Sequence, residues 1–265
     1  MKVYASVGTN MPLGDVGALA QRVEAMGYDG LHIPETVHDG LMVAMLALEH
    51  TSRIEVGTSV ILAFPRSPMI TAIAAWDLQR FSAGRFSLGL GSQVKGNIEG
   101  RFSVSWRAPA ARMREYMQSL LAIWAAFQNG GGLSFEGEHY RFTRLQPYFN
   151  PGPIDHPRPR LVLGAVNPAM CRVAGEVADG LNTHGTNSNP RYIREVTIPG
   201  IEEGARRAGR SRADVNLHGG NFITGATRDE VDRARAGQRE SFSFLYSTPN
   251  YWPTLHAAAA WARRP

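Results

Sequence analysis

The feature that most restricts how this chain can fold is a rhythm. Short apolar runs alternate with segments whose apolar residues recur at helical spacing. Lys2–Gly8, Gly30–Pro34, Glu55–Leu62 and Arg85–Gly91 read as strands, and Val16–Met26, Leu41–His50, Met69–Phe81 and Pro109–Gln128 read as the helices that follow them. Helix ends are marked too: Gly27 and Ala83-Gly84 stop two of the helices, and Pro109 stands where a first helical residue needs no amide. Strands that alternate with helices at this spacing predict a parallel sheet buried on both faces.

The rhythm pauses once. Gly130–Gly132 and LSFEGEHYRF read as a hairpin, and prolines follow at 147, 151, 153, 157 and 159. This stretch, about 130–160, is an insertion crossing the surface, because the alternation resumes directly after it. Arg160–Gly164, Gly180–His184 and Asp214–Ile223 read as strands, with helices over Pro168–Ala178 and over Pro190–Gly209, the latter kinked near Pro199. Thr227 with Glu230 opens another helix, and SFSFLYSTP reads either as its end or as an eighth strand. Seven or eight such units in 265 residues predict a single (β/α)8 TIM-barrel domain over 1–265. A doubly wound sheet is the competitor, but its phosphate fingerprint is incomplete: after Gly89-Leu90-Gly91, Val94 stands where the third glycine belongs.

Composition narrows the function classes. A single cysteine, Cys171, excludes an internal disulfide framework and a cysteine-rich zinc site, and no histidine pair has metal-ligand spacing, so no metal is expected. The N-terminus lacks the apolar core of a signal peptide and the longest apolar runs are far too short to span a bilayer, so a cytoplasmic protein without membrane contact is expected. The net charge of +5 comes almost wholly from arginines scattered along the chain, which speaks against a nucleic-acid partner and leaves a small anionic ligand compatible.

In a barrel the chemistry lies where strands end. Strand two ends at Glu35, followed by His38 and Asp39. His38 suits proton transfer because imidazole titrates near neutral pH, or it is an ordinary loop histidine. Glu35 either reaches the cavity or forms a structural salt bridge, and Asp39 reads as a helix cap. Strand three ends in Thr58-Ser59-Val60, then Phe64-Pro65-Arg66. Strand four ends in Gly91-Ser92-Gln93, then Lys95, residues suited to a phosphate or a polar ring edge, or to a solvated loop. Strand five ends in Ala165-Val166-Asn167 before Pro168, either an anion site at a helix start or a plain N-cap. Strand six ends at His184, and strand seven near His218-Gly219-Gly220-Asn221.

AAWDLQRFSAGRFSLGLGSQV, RIEVGTSVILAFPRSP, FEGEHYRF and AGEVADGLNTH together resemble the bacterial luciferase-like monooxygenase superfamily, and within it the coenzyme F420-dependent oxidoreductase subgroup. The resemblance implies a luciferase-like TIM barrel, here lacking the last β/α unit at the C-terminus, with SFSFLYSTP helical. It implies a non-prolyl cis peptide within Thr58-Ser59-Val60 that props the ring of a planar cofactor. Further implied are a phosphate-bearing tail held by Gly91, Ser92, Gln93, Lys95, Ala165, Val166, Asn167 and His184, proton handling by His38 or Glu35, and a substrate side lined by Phe64 and Arg66. The activity implied is hydride transfer between coenzyme F420 and a small-molecule substrate by a homodimer. FMN, in a luciferase-like monooxygenase, is the alternative cofactor, and a truncated, catalytically silent barrel is the alternative from another class.

Overall fold

The computed structural model describes residues 1–220 and 225–256. Two compact units are distinguished, the first comprising Met1–Gly164 with Val177–Gly180, the second Ala165–Glu176 with the described residues from Leu181 onward.

In the first unit the alternation read from the sequence becomes a parallel sheet. Strand β1 (Tyr4–Ser6) leads to α1 (Val16–Ala25), β2 (Gly30–Ile33) to α2 (Gly40–Glu49), and β3 (Glu55–Thr58) with β4 (Ile61–Leu62) to α3 (Pro68–Phe81). Next come β5 (Phe86–Gly91), the short α4 (Lys95–Gly100) and the long α5 (Pro109–Asn129). The two-stranded hairpin β6 (Phe135–Glu136) and β7 (Arg141–Phe142) precedes β8 (Arg160–Gly164). Register is parallel throughout the sheet, with Ala5 beside Leu31, Leu31 beside Val56, Val56 beside Phe86, and Leu88 beside Leu161. Leu31, Ile33, Val56, Leu88, Leu90, Leu161 and Leu163 are all buried, as strands covered on both faces require. The expected continuous strand Glu55–Leu62 is instead two pieces, and the Ser59–Val60 peptide between them is cis, within the triplet the resemblance indicated.

Helix ends follow the local chemistry. Ser67 caps α3 with Pro68 directly behind it, and Pro109 opens α5. Trp76 on α3 and Trp124 on α5 stack at 6.5 Å and are fully buried, the Trp124 indole donating to the Ala72 carbonyl at 3.0 Å. The insertion is fastened to these helices by backbone carbonyls. Arg80 donates to those of Pro151, Gly152 and Pro153, Gln79 to that of Pro157, and Gln128 exchanges two hydrogen bonds with Ile154. A Pro-rich segment has few amides to donate, so its carbonyls are what the scaffold can grip. In the hairpin, the Glu115 carboxylate accepts from the amides of Glu138, His139 and Tyr140. Burial opposes its charge, but these amides prevail and its pKa is lowered.

The second unit contains α6 (Pro168–Val177, its last residue assigned to the first unit), β9 (Gly180–Asn182, its first residue likewise), the single turn α7 (Pro190–Tyr192), α8 (Ile198–Arg207), β10 (Asn216–His218) and α9 (Arg228–Tyr246). The kink expected near Pro199 is a π-helical stretch, Ile193–Thr197, after which Pro199 sits in the first turn of α8. Helices α6 and α8 cross at glycines. A Cβ on Gly204 would collide with the Arg172 carbonyl, and one on Gly175 with that of Ile201. SFSFLY continues α9 as helix, in agreement with the resemblance. Strand seven, expected over Asp214–Ile223, is shorter, and its positions 221–223 lie outside the described residues, as does the tail from 257. Among the described residues no strand follows β10, and no helix is long and apolar enough to cross a membrane.

At the strand starts of the first unit, Glu55 receives Lys2 Nζ at 2.6 Å, the Tyr4 hydroxyl at 2.6 Å and Arg160 Nη2 at 2.7 Å. Burial alone would raise the Glu55 pKa, but the three donors hold it down to about 2. A folded-state pKa below the unfolded value of about 4.3 contributes stability above that value and loses it as pH falls toward 2. Glu55→Gln is therefore expected to lower Tm at pH 7, the gap to the parent chain narrowing between pH 5 and pH 2 in a thermal-unfolding series.

Candidate active site

The loop leaving β2 is held at both ends by one arginine. Glu35 Oε2 accepts from the Leu62 amide at 2.7 Å and from Arg66 Nη1 at 2.9 Å, while Oε1 accepts from Arg66 Nη2 and, at 3.4 Å, from the Gly40 amide. Arg66 Nη2 also reaches Asp39 Oδ2 at 2.6 Å, and Nη1 donates to the Leu62 carbonyl at 3.1 Å. The other Asp39 oxygen caps α2, accepting from Leu41 at 2.8 Å and Met42 at 3.4 Å. Burial works against the Asp39 charge, but Arg66 and the two amides outweigh it and lower its pKa. Burial likewise works against the Arg66 cation, and the two carboxylates raise its pKa. Of the two readings open for Glu35, the salt bridge is what the geometry contains, and Asp39 is the helix cap. Arg66, expected at the substrate side, has its fork turned onto Glu35 and Asp39. His38, between these two carboxylates in sequence, is half-buried, and its ring makes no hydrogen bond to another described residue.

The next two strand ends differ in how their residues are used. Thr58 is buried, its hydroxyl bonded to both the carbonyl and the amide of Gly89 at 2.8 Å, so it stitches β3 to β5. The Ser59 amide donates to the Ile33 carbonyl at 2.7 Å, and the Val60 carbonyl accepts from the Glu35 amide at 3.3 Å. Val60 lies against Gly91 and Gly164, where a Cβ would press on its methyl groups at 2.5 and 3.1 Å. After β5, Ser92 is half-buried with its hydroxyl directed to the Gln93 carbonyl at 3.2 Å. Gln93 takes a positive φ of 58° and its Oε1 accepts from the Val94 amide at 2.9 Å, which leaves its NH2 group as a donor. Lys95 does not continue a loop. It opens α4, exposed, with Glu99 one turn on at 3.9 Å.

Phe64 is 4% exposed, buried under Arg112 and the edge of Trp106. Arg112 and Tyr140 were not singled out in the sequence. The signal was thin: an arginine in the first turn of an amphipathic helix is ordinarily a solvated residue, and only the aromatic neighbours make this one structural.

In the second unit, Asn167 is exposed and its Oδ1 accepts from the Met170 amide at 3.0 Å, so it caps α6 and leaves its NH2 group as a donor at a helix N-terminus. The Ala165 amide donates to the Asn182 carbonyl, the Ala165 carbonyl accepts from the buried Asn187 side chain at 3.0 Å, and the Val166 carbonyl accepts from the Tyr192 hydroxyl at 3.1 Å. His184 stacks on Tyr251 with ring centroids 4.9 Å apart and planes 8° from parallel. Its Nδ1 lies 3.0 Å from the Thr186 hydroxyl, and burial pushes its pKa down. Asn221 lies outside the described residues.

A parallel strand–helix succession with polar side chains gathered at strand ends defines the class of barrel enzymes. The family model described as luciferase-like monooxygenase matches residues 2–264, and the chain belongs to that family. An uncharacterized protein of Mycobacterium tuberculosis (strain ATCC 25618 / H37Rv) is 43% identical over 265 residues, covering 97% of this chain and 77% of the relative. The 5,10-methylenetetrahydromethanopterin reductase of Archaeoglobus fulgidus is 32% identical over 204 residues, covering 77% of this chain and 57% of the reductase. Among solved structures, an F420-dependent secondary alcohol dehydrogenase in complex with an F420-acetone adduct superposes with a TM-score of 0.70 at 20% identity, covering 82% of this chain and 68% of that one. The fold is thus that of the luciferase-like TIM barrels.

Glu35 and Arg66 are mostly buried, with side chains 10% and 19% exposed. Removing either partner strands the other charge, so Glu35→Gln and Arg66→Met are each expected to cost about 3 kcal/mol in urea unfolding. The double variant should cost less than the two together.

Proposed function

We propose that the protein is an oxidoreductase dependent on the deazaflavin coenzyme F420, moving a hydride between the bound cofactor and a small organic substrate. The observation that carries the reading is His38. Its ring bonds to no other described residue, and in sequence it lies between two carboxylates that Arg66 binds, at the strand end where a barrel enzyme works. The name of the F420-dependent dehydrogenase above supports the deazaflavin over FMN.

Each unit by itself carries donors suited to a polar or phosphate-bearing group. In the first unit, Ser92, the Gln93 NH2 group and Lys95 would serve the cofactor's polar edge, beside the Thr58-Ser59-Val60 turn and Gly91. In the second, the Asn167 NH2 group is the proposed donor at the start of α6, where negative charge is favoured, with Ala165, Val166 and His184 as its proposed companions. When bound, the deazaflavin supplies hydride chemistry at C5 of its central ring.

The chain's own contribution is proton handling and orientation. His38 holds or delivers the proton at an imidazole nitrogen. Glu35 fixes the strand exit on which His38 is carried, and does so by accepting from Leu62, Gly40 and Arg66. A homodimer belongs with this reading, supported by the exposed Met42 and Met45 on α2 and Ile70 and Ile73 on α3.

The test is a fluorescence titration with coenzyme F420 and, separately, with FMN. Saturable deazaflavin binding should bring a stabilisation of about 2.7 kcal/mol at a hundredfold excess over Kd. FMN binding without deazaflavin binding reverses the assignment. His38→Asn should leave cofactor affinity unchanged and slow turnover by on the order of a hundredfold or more.

A further inference from the structure

Phe64 lies just beyond β4, at the substrate end of its strand, yet 4% exposure leaves it no surface with which to meet a ligand. Two groups cover it. The Arg112 guanidinium lies over its face, 4.5 Å from the ring centroid, and Trp106 stands edge-on with centroids 5.9 Å apart and planes at 71°. Trp106 is itself half-buried, so it carries the accessible aromatic surface of this pair.

The segment bearing Trp106 is fastened along its length. Arg101 Nη2 donates to the Thr36 carbonyl at 3.2 Å, in the same loop as His38, and the Val104 amide donates to the Ile98 carbonyl at 3.1 Å. The Trp106 amide reaches Glu99 at 3.4 Å, and Arg112 Nη1 donates to the Ser105 carbonyl at 3.1 Å. The backbone that carries Trp106 is thus held in place before any ligand binds, which lowers the ordering cost of binding.

The guanidinium groups of Arg112, over Phe64, and of Arg66, two residues along from it, are answered within the protein. Arg112 donates Nε to the Tyr140 hydroxyl at 2.9 Å and Nη2 to the Phe64 carbonyl at 3.4 Å, and Arg66 is bound by Glu35 and Asp39. An anionic substrate would have to break these bonds to be recognised by either of them.

We infer that Trp106, backed by Phe64, is the specificity-determining wall of the substrate site, and that it selects an uncharged substrate carrying an aromatic or similarly flat apolar group. Arg112 is the positioning residue that keeps Phe64 behind it. The inference rests on the redox reading above.

Two probes of one skeleton test it: acetophenone and 4-acetylbenzoate, titrated against the full chain by saturation-transfer NMR, which registers binding whether or not hydride passes. Acetophenone is expected to bind about tenfold or more tightly than the carboxylate. Trp106→Ala should weaken acetophenone about tenfold, Trp106→Leu somewhat less, and Trp106→Phe should restore most of the affinity. Arg112→Met should weaken acetophenone without changing deazaflavin affinity. Equal or tighter binding of 4-acetylbenzoate, no binding of acetophenone, or unchanged affinity in Trp106→Leu would overturn the inference. A deazaflavin titration in parallel separates the two readings. Trp106-dependent acetophenone binding without deazaflavin binding removes the redox assignment and keeps the wall, and the converse removes the wall alone.

Discussion

The Arg66 guanidinium ties together three pieces of chain that leave the sheet separately: the end of β2 through Glu35, the cap of α2 through Asp39, and the exit of β4 through the Leu62 carbonyl. Glu35 and Arg66 are mostly buried, so removing either leaves a charge partly out of water with fewer partners. The arrangement accounts for the division of labour in the β2 loop. Two of its titratable residues are structural because they are saturated, and the residue between them keeps its ring available. A carboxylate at the end of a barrel strand reads as catalytic by position. Here its four donors make it part of the frame of the β2 loop.

A second layer of order lies above that frame. The insertion is bound to the scaffold at Arg80, Gln79, Gln128 and Glu115, and its hairpin reaches the segment after β4 through Tyr140, Arg112 and Phe64. The insertion therefore is continuous, through hydrogen bonds and ring contacts, with the strand end it overhangs. A guanidinium between two rings is well suited to such a link, since it offers planar faces to both and donors at its edge.

The parts of the fold legible in the sequence were those governed by period and punctuation. Buried strands such as Arg85–Gly91 have near-continuous apolar runs, and helices such as α3 and α5 start at a cap or a proline, so both could be placed to within a residue or two. The interruption at Ser59-Val60 was not legible from alternation, because Ile61 and Leu62 continue the apolar run, and it came only through the family resemblance. The short helix α4 was missed because KGNIEG contains two glycines and no helical stripe. At the site, positions were legible but roles were not. Nothing local in the sequence tells Glu35 that Arg66 lies opposite, and the burial of Phe64 depends on Arg112, far along the chain, and on Trp106. Those are facts of tertiary packing, invisible to spacing.

The crossing of α6 and α8 has its own consequence. With Gly175 against the Ile201 carbonyl and Gly204 against that of Arg172, the two backbones approach as closely as bare chain allows. Even alanine at either site would wedge the pair apart. These helices are accordingly locked to one another as a block, and natural drift or laboratory recombination that exchanges one of them has to bring its companion along.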